Sequence, residues 1–206
     1  MNRSPKQICR ADSRPKSKPK NGFAFRRSAL CVAILALILA DPRGALAGPL
    51  DDLAAAAGIE AYPAPLRAPP FRLSGLNGET ASNASFKGRV VLLSFWATWC
   101  PPCKAEFPSI ERLQASFPAS DFQVVAVAVS DSAESITRFL GNRPAPFPIL
   151  LDADRKVTND YRAAGIPVAY LLDRQGRLVA VKSGILTWDA PSVRALVEHL
   201  VKKGDS

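Results

Sequence analysis

Metal-binding side chains are scarce in this chain of 206 residues, which contains one histidine, one methionine and four cysteines. The methionine and two of the cysteines lie within residues 1–47, so the remainder offers only Cys100, Cys103 and His199 as soft ligands. A structural zinc site usually takes four Cys or His ligands. The composition therefore argues against structural zinc, and we predict neither a metal site nor a cofactor.

Excess positive charge is missing from most of the chain, although the formal net charge of the whole is +9. Residues 1–47 contain 10 Lys and Arg against 2 Asp and Glu, which leaves 17 against 16 for residues 48–206. A nucleic-acid-binding domain normally carries a clustered basic surface. Because the body of the chain is nearly neutral, we predict no nucleic-acid partner. We expect Trp96 and Trp99 to be packing residues rather than a stacking platform for bases.

A hydrophobic run long enough to cross a membrane is also lacking. The apolar run at residues 28–40 has 13 residues, whereas a transmembrane helix needs about 20. It follows a basic, Pro-rich segment and precedes the small-residue triplet Ala45–Ala47, which is the pattern of a secretory signal peptide. We predict that residues 1–47 are a signal peptide cleaved after Ala47 and that the protein is periplasmic or otherwise exported. The alternative is an uncleaved anchor in the inner membrane, formed by residues 28–40.

Two segments follow the predicted signal peptide. Residues 48–67 are rich in alanine and proline and are predicted to be a linker with one short helix at 51–57. Residues 68–206 are predicted to form one α/β domain. Its apolar patterns indicate strands at 71–73, 80–82, 90–96, 122–129, 149–151, 168–172 and 177–182, and helices at 101–117, 131–140, 154–161 and 192–203. Strands that alternate with helices and end in a hairpin predict a mixed β-sheet covered by helices on both faces.

One motif carries reactive side chains. Cys100 and Cys103 are separated by two prolines at the point where a buried strand is predicted to give way to a helix. A reversible dithiol/disulfide couple is the interpretation that this spacing favours. An inert structural disulfide stays open as the alternative, although closing so short a loop adds little chain-entropy stabilisation.

The predicted position at a helix N-terminus gives the two sulfurs different properties. Unpaired backbone N–H groups and the positive end of the helix dipole favour a thiolate at Cys100. Its pKa is therefore expected to fall below the free value of about 8.5. Pro101 suits the first helical turn because its missing N–H needs no partner there. Cys103 lies one turn further in and is shielded, so we expect Cys100 to attack a disulfide and Cys103 to resolve the mixed disulfide.

Two stretches of the sequence resemble a known family. Phe95–Pro108 (FWATWCPPCKAEFP) resembles the active-site stretch of exported thioredoxin-like proteins of the TlpA/ResA/CcmG type. Gly165–Asp173 (GIPVAYLLD), followed by Gly176, resembles the second signature of that family. The resemblance covers about residues 68–203. It implies a thioredoxin-like α/β fold, with a central mixed β-sheet flanked by helices, an N-terminal hairpin and a central strand–helix insertion.

The resemblance also implies the residues of the site. The peptide bond between Ile166 and Pro167 is expected to be cis and to lie against the dithiol, with an ordinary trans proline at the start of a strand as the alternative. The implied catalytic residues are Cys100, Cys103 and Glu106. The implied substrate-binding residues are Trp99, Pro101, Pro102, Ile166 and Pro167.

Glu106 is assigned to catalysis because of a departure from ordinary thioredoxins. The acid that they bury beneath the dithiol falls at Ser94 here, and a serine cannot take a proton. Glu106, three residues beyond Cys103, matches a glutamate of the family and is expected to supply that base. The alternative is a solvated acid in the first helical turn, favoured there by the helix dipole.

The resemblance implies a thiol–disulfide oxidoreductase that reduces the disulfides of specific partners. The expected substrates are the haem-site cysteines of apocytochrome c or the copper-site thiols of oxidase assembly proteins, with a transmembrane thiol reductase as electron donor. A thiol oxidase and a redox-inert binding module of the same fold, acting in cytochrome or oxidase assembly, are the alternatives. A DsbA-type oxidase would carry a long helical insertion, and a copper chaperone would want C-x-x-x-C with a well-placed histidine. His199 is expected instead to interact with the C-terminal end of the last helix.

Overall fold

An eight-stranded sheet organises residues 48–203, the part of the chain that this computed structural model describes. The predicted signal peptide, residues 1–47, lies outside the described residues. The strands are β1 (Glu60–Arg67), β2 (Arg72–Gly75), β3 (Thr80–Ser82), β4 (Val90–Trp96), β5 (Phe122–Val129), β6 (Ile149–Asp152), β7 (Val168–Leu172) and β8 (Arg177–Ser183). The helices are α1 (Pro49–Ala56), α2 (Pro101–Ala115), α3 (Ala133–Phe139), α4 (Lys156–Asp160) and α5 (Pro191–Lys203), with a 3-10 turn at Asn83–Phe86.

The strand order is β1-β8-β7-β4-β5-β6-β2-β3, so β4 and β5 lie in the middle of the sheet. These two strands and β6 run parallel, whereas β7 pairs antiparallel with β4 and β8 pairs antiparallel with β7. Every residue of β4 and β5 is buried. Strands covered on both faces have nearly continuous apolar sequences, and this explains why both were predicted with the bounds that the structure has. The predicted mixed sheet with flanking helices is confirmed.

The two faces of the sheet are covered by separate apolar clusters. Because side chains alternate along a strand, Leu92 and Trp96 of β4 point to one face and Phe95 to the other. The first face packs against α1, α2 and α5 and includes both Cys100 and Cys103. Within residues 48–203, no helix has the length and apolar character that a membrane span requires.

The predicted linker at residues 48–67 is wrong, because this segment is part of the folded domain. It forms α1 and then β1, which pairs antiparallel with β8 at the edge of the sheet. The pairing register shifts between Ala61 and Leu66, and this interval contains Pro63 and Pro65. Proline has no N–H for a ladder and is tolerated at sheet edges and bulges. An edge strand that is mostly exposed also lacks the apolar alternation that would distinguish it from a tether.

Candidate active site

The disulfide between Cys100 and Cys103 lies where β4 has ended and α2 begins. Cys100 is the N-cap residue of α2, and its Sγ accepts a hydrogen bond from the backbone N–H of Cys103 at 3.3 Å. Pro101 and Pro102 follow in the first turn and are exposed. Cys100 is 4% exposed and Cys103 1% exposed, so both residues are buried and Cys100 is slightly the more exposed of the two.

The loop before Cys100 is fixed to the end of the neighbouring strand β5. The carboxylate of Asp131 accepts hydrogen bonds from the Thr98 backbone N–H at 2.6 Å and from Thr98 Oγ1 at 3.1 Å. Asp131 was not among the site residues predicted from the sequence. The available signal was its position just after β5, because the carboxyl ends of adjacent parallel strands meet at one edge of a sheet.

The two tryptophans of the motif have different environments. Trp96 is buried and packs against Phe107 and Phe139, with ring centroids 4.7 and 5.4 Å apart. Trp99 is 55% exposed, and its indole N–H donates to the carbonyl oxygen of Val129 at 3.3 Å. The expectation of a packing residue is therefore confirmed for Trp96, whereas the side chain of Trp99, one residue before Cys100, is held by one hydrogen bond and is largely exposed.

The loop before β7 lies against the disulfide. The Ile166–Pro167 peptide bond is cis, and the Ile166 carbonyl oxygen lies 3.8 Å from Cys100 Sγ. Pairing of β7 with β4 places Val168 beside Phe95 and so brings this loop to the end of β4 that leads to the cysteines. The structure thus brings together the two motifs that are 64 residues apart from Cys103 to Pro167 in the sequence.

Glu106 is a buried carboxyl group on α2, one turn beyond Cys103. It is 3% exposed, and Oε2 accepts a hydrogen bond from the Leu186 backbone N–H at 3.2 Å. Burial raises the pKa of Glu106 from 4.5 to about 7, against the lowering effects of the Leu186 hydrogen bond, the Trp188 indole and the Lys182 charge. The alternative of a solvated first-turn acid is wrong, because α2 begins at Pro101 and places Glu106 in its second turn, facing the protein interior.

Ser94, which stands where thioredoxins bury an acid, is 1% exposed and lies on β4 between Leu92 and Trp96. Its Oγ makes no hydrogen bond within the described residues. Within residues 48–203 the second buried carboxylate is Asp152, which accepts hydrogen bonds from the first turns of α4. Asp152 is thereby satisfied by three hydrogen bonds from Val157 and Thr158, which leaves Glu106 as the buried acid on the helix that carries the cysteines. Nowhere in this range do three or more His, Cys, Asp or Glu side chains form a group that could hold a metal ion.

Comparison with known proteins shows to which family this chain belongs. A family model described as Redoxin matches residues 64–197. The chain belongs to the Redoxin family. Among curated proteins, it is 36% identical over 120 residues to the thiol-disulfide oxidoreductase ResA of Bacillus subtilis, covering 58% of this chain and 67% of that protein. It is 29% identical over 176 residues to ResA of Oceanobacillus iheyensis, covering 84% of this chain and 86% of the relative.

A solved structure supports the same assignment. A protein from Chlorobium tepidum, described as a thiol:disulfide interchange protein DsbE, superposes with a TM-score of 0.57 at 31% sequence identity, over 69% of this chain and 97% of that one. The thioredoxin-like fold is therefore confirmed. This Redoxin-family chain is a thiol–disulfide oxidoreductase of the ResA/DsbE type.

Proposed function

We propose that this protein is an exported thiol–disulfide oxidoreductase that reduces the disulfides of specific partner proteins, with Cys100 as the attacking and Cys103 as the resolving sulfur. The observation that carries the proposal is the placement of Cys100. It caps α2, it is slightly the more exposed of the two cysteine residues, and its Sγ lies 3.8 Å from the carbonyl oxygen of Ile166 in the loop that contains the cis bond to Pro167.

The reaction starts from the reduced pair. The Cys100 thiolate attacks one sulfur of a partner disulfide, forms a mixed disulfide and releases the other partner sulfur as a thiolate. The Cys103 thiolate then attacks Cys100 Sγ, which forms the Cys100–Cys103 disulfide and releases the second partner thiolate. Two electrons pass to the partner, and a transmembrane thiol reductase is the proposed donor that returns them to the cysteines.

Glu106 is the proposed proton acceptor for the resolving thiol. Cys103 must lose a proton before it can attack, and Glu106 lies one helical turn away on the same face of α2. A pKa of about 7 lets this carboxyl group both accept and release a proton near neutral pH. Buried Ser94 has no titratable group for this purpose.

The proposed partners are the haem-site cysteines of apocytochrome c or the copper-site thiols of oxidase assembly proteins. The resemblance to the TlpA/ResA/CcmG type supports this class of partner. Exported proteins enter an oxidising compartment, where thiol pairs are oxidised to disulfides. A reductase is therefore needed where a thiol pair must stay reduced in order to bind haem or copper. The predicted signal peptide at residues 1–47 supports the compartment.

A trapping experiment tests the roles of the two cysteines. The Cys103→Ala variant keeps the attacking sulfur but cannot resolve, so it should accumulate mixed disulfides with partners on non-reducing gels. The matched control, Cys100→Ala, should trap nothing. Equal trapping by both variants would show that the roles are wrongly assigned.

The reduction of model peptides then tests the class of partner. Oxidised peptides with a C-x-x-C-H haem site and with a copper-site cysteine pair should be reduced at different rates by the wild-type protein. If neither peptide is reduced faster than insulin, the proposed partner specificity is wrong. Failure to reduce both peptides as well as insulin, with dithiothreitol present, would favour a redox-inert binding module.

A further inference from the structure

The loop between β8 and α5, residues 184–190, is attached to the helix that carries the cysteines. The Leu186 N–H donates to Glu106 Oε2 at 3.2 Å, and the Trp188 N–H donates to Ser109 Oγ at 3.1 Å. Ser109 Oγ in turn donates to the Glu106 carbonyl oxygen at 2.7 Å. The loop therefore runs alongside the turn of α2 from Glu106 to Ser109 and covers the carboxyl group of Glu106.

The side chain of Trp188, in this loop, contains a buried polar group that lacks a hydrogen-bond partner. The residue is 1% exposed, and its indole N–H makes no hydrogen bond within the part of the chain that the structure describes. A buried donor without an acceptor is unfavourable and uncommon in native proteins. The Trp188 side chain nevertheless acts on Glu106 as a hydrogen-bond donor that lowers its pKa, although the contact falls outside the geometry of a formed hydrogen bond.

We propose that the indole N–H of Trp188 becomes the hydrogen-bond donor of the Glu106 carboxylate when Glu106 loses its proton. Trp188 is then a positioning residue that sets the pH range in which Glu106 accepts a proton. The inference rests on the proposed function, in which Glu106 takes that proton from Cys103.

The chemistry of the carboxyl group explains why a second donor is needed. An ionised carboxylate has two acceptor oxygens, whereas an indole N–H is a donor only. The Leu186 N–H already occupies Oε2, which leaves Oε1 for another donor. Hydrogen bonds to an ionised acceptor are stronger than those between neutral groups, so the Trp188 contact stabilises the carboxylate more than the neutral acid.

The other charged groups around Glu106 are few. Lys182 of β8 contributes a favourable charge. Asp189, next to Trp188 in the loop, is paired with Arg112 at 2.6 Å, so its negative charge is largely balanced. On α2 itself the other charged side chains are those of Lys104, Glu111 and Arg112, none of which is buried, and the two cysteines do not titrate while they form the disulfide. Lys182 is therefore the competing influence that an experiment must separate from Trp188.

The test measures the titration of Glu106 directly, in the full chain with the Cys100–Cys103 disulfide intact. The carbon-13 signal of the Glu106 carboxyl group is assigned by its loss in Glu106→Gln. Trp188→Phe keeps a buried ring and removes the N–H, and it should raise the Glu106 pKa by about one pH unit, a tenfold change in the ionisation constant. Trp96→Phe is the matched control, because Trp96 also has a buried indole N–H without a hydrogen bond within the described residues. It should leave the Glu106 titration in place.

A second measurement needs no substitution at Trp188. The indole N–H resonance of Trp188 should shift with pH at the midpoint of the Glu106 titration and become insensitive to pH in Glu106→Gln. A Lys182→Gln variant should keep this coupling while it shifts the midpoint. An unchanged Glu106 pKa in Trp188→Phe, or an indole resonance that ignores Glu106, would overturn the inference.

The inference and the proposed function can fail separately, because the Glu106 titration is measured in the oxidised protein. If Trp188→Phe shifts that titration while the reactivity of the reduced cysteines keeps its pH profile, the inference is supported. The same result contradicts the proposed role of Glu106 as proton acceptor.

Discussion

Replacing Glu106 with glutamine removes a carboxyl group whose pKa is raised by burial from 4.5 to about 7. The folded state therefore holds this proton more tightly than the unfolded chain does. The stability that results is fully present below pH 4.5 and is lost as the pH rises through about 7. One pH unit of difference corresponds to about 1.4 kcal/mol, so the ionised carboxylate costs the folded state up to about 3 kcal/mol above neutral pH.

Glutamine has nearly the same shape and never carries that charge, and its side-chain oxygen can still accept the Leu186 N–H. We expect Glu106→Gln and the wild type to unfold with similar free energies below pH 4.5. Well above pH 7 the variant should be more stable, by up to about 3 kcal/mol. Urea unfolding of the oxidised proteins as a function of pH measures this difference. Glu134→Gln, at a glutamate that is 83% exposed, is the matched control and should follow the wild type.

The same variant tests the proposed role of Glu106 in the reaction. In the reduced protein, the alkylation rate of the cysteines should change its pH dependence when Glu106 cannot titrate, whereas Glu134→Gln should leave it unchanged. Stability curves of wild type and Glu106→Gln that stay parallel at all pH values would refute the raised pKa. Unchanged alkylation profiles would instead refute the assignment of Glu106 as proton acceptor.

Two further substitutions test the loop that leads to Cys100. Asp131→Ala removes the acceptor of the Thr98 N–H and hydroxyl, so urea unfolding should show a loss of about 1–3 kcal/mol, and insulin reduction should slow; an unchanged stability would mean that the loop does not depend on this carboxylate. Trp99→Ala removes a mostly exposed ring, so the free energy of unfolding should stay within about 0.5 kcal/mol of the wild type. When it is combined with Cys103→Ala, the double variant should trap less partner than Cys103→Ala alone; undiminished trapping would show that the ring does not contact partners.

The central strands could be predicted from the sequence because their environment leaves a strong local pattern. β4 and β5 are buried on both faces, and their sequences are nearly continuous apolar runs. β1 leaves no such pattern, because it is an edge strand in which Pro63 and Pro65 occupy a register shift. Its place in the sheet is determined by pairing with β8, more than 100 residues away in the chain.

The cysteines of the site were predictable for a similar local reason. Their spacing, the prolines between them and their place between a strand and a helix all lie within a few residues of sequence. The contact between Cys100 and the Ile166–Pro167 loop depends instead on the antiparallel pairing of β7 with β4. It was expected only because the second motif resembles that of a known family. Asp131 belongs to no motif and was missed.

Glu106 shows where prediction from local sequence reaches its end. It shares a helix face with Cys103 and Ile110, three residues before it and four after, but it was assigned to the site by resemblance, with a solvated first-turn acid as the alternative. The spacing could not indicate how completely the carboxyl group is desolvated. That depends on the loop at residues 184–190, whose contact with Glu106 spans 80 residues of sequence. The acid–base property on which the proposed reaction depends is therefore a product of the tertiary fold, and substitutions in that loop should alter it without touching the cysteine motif.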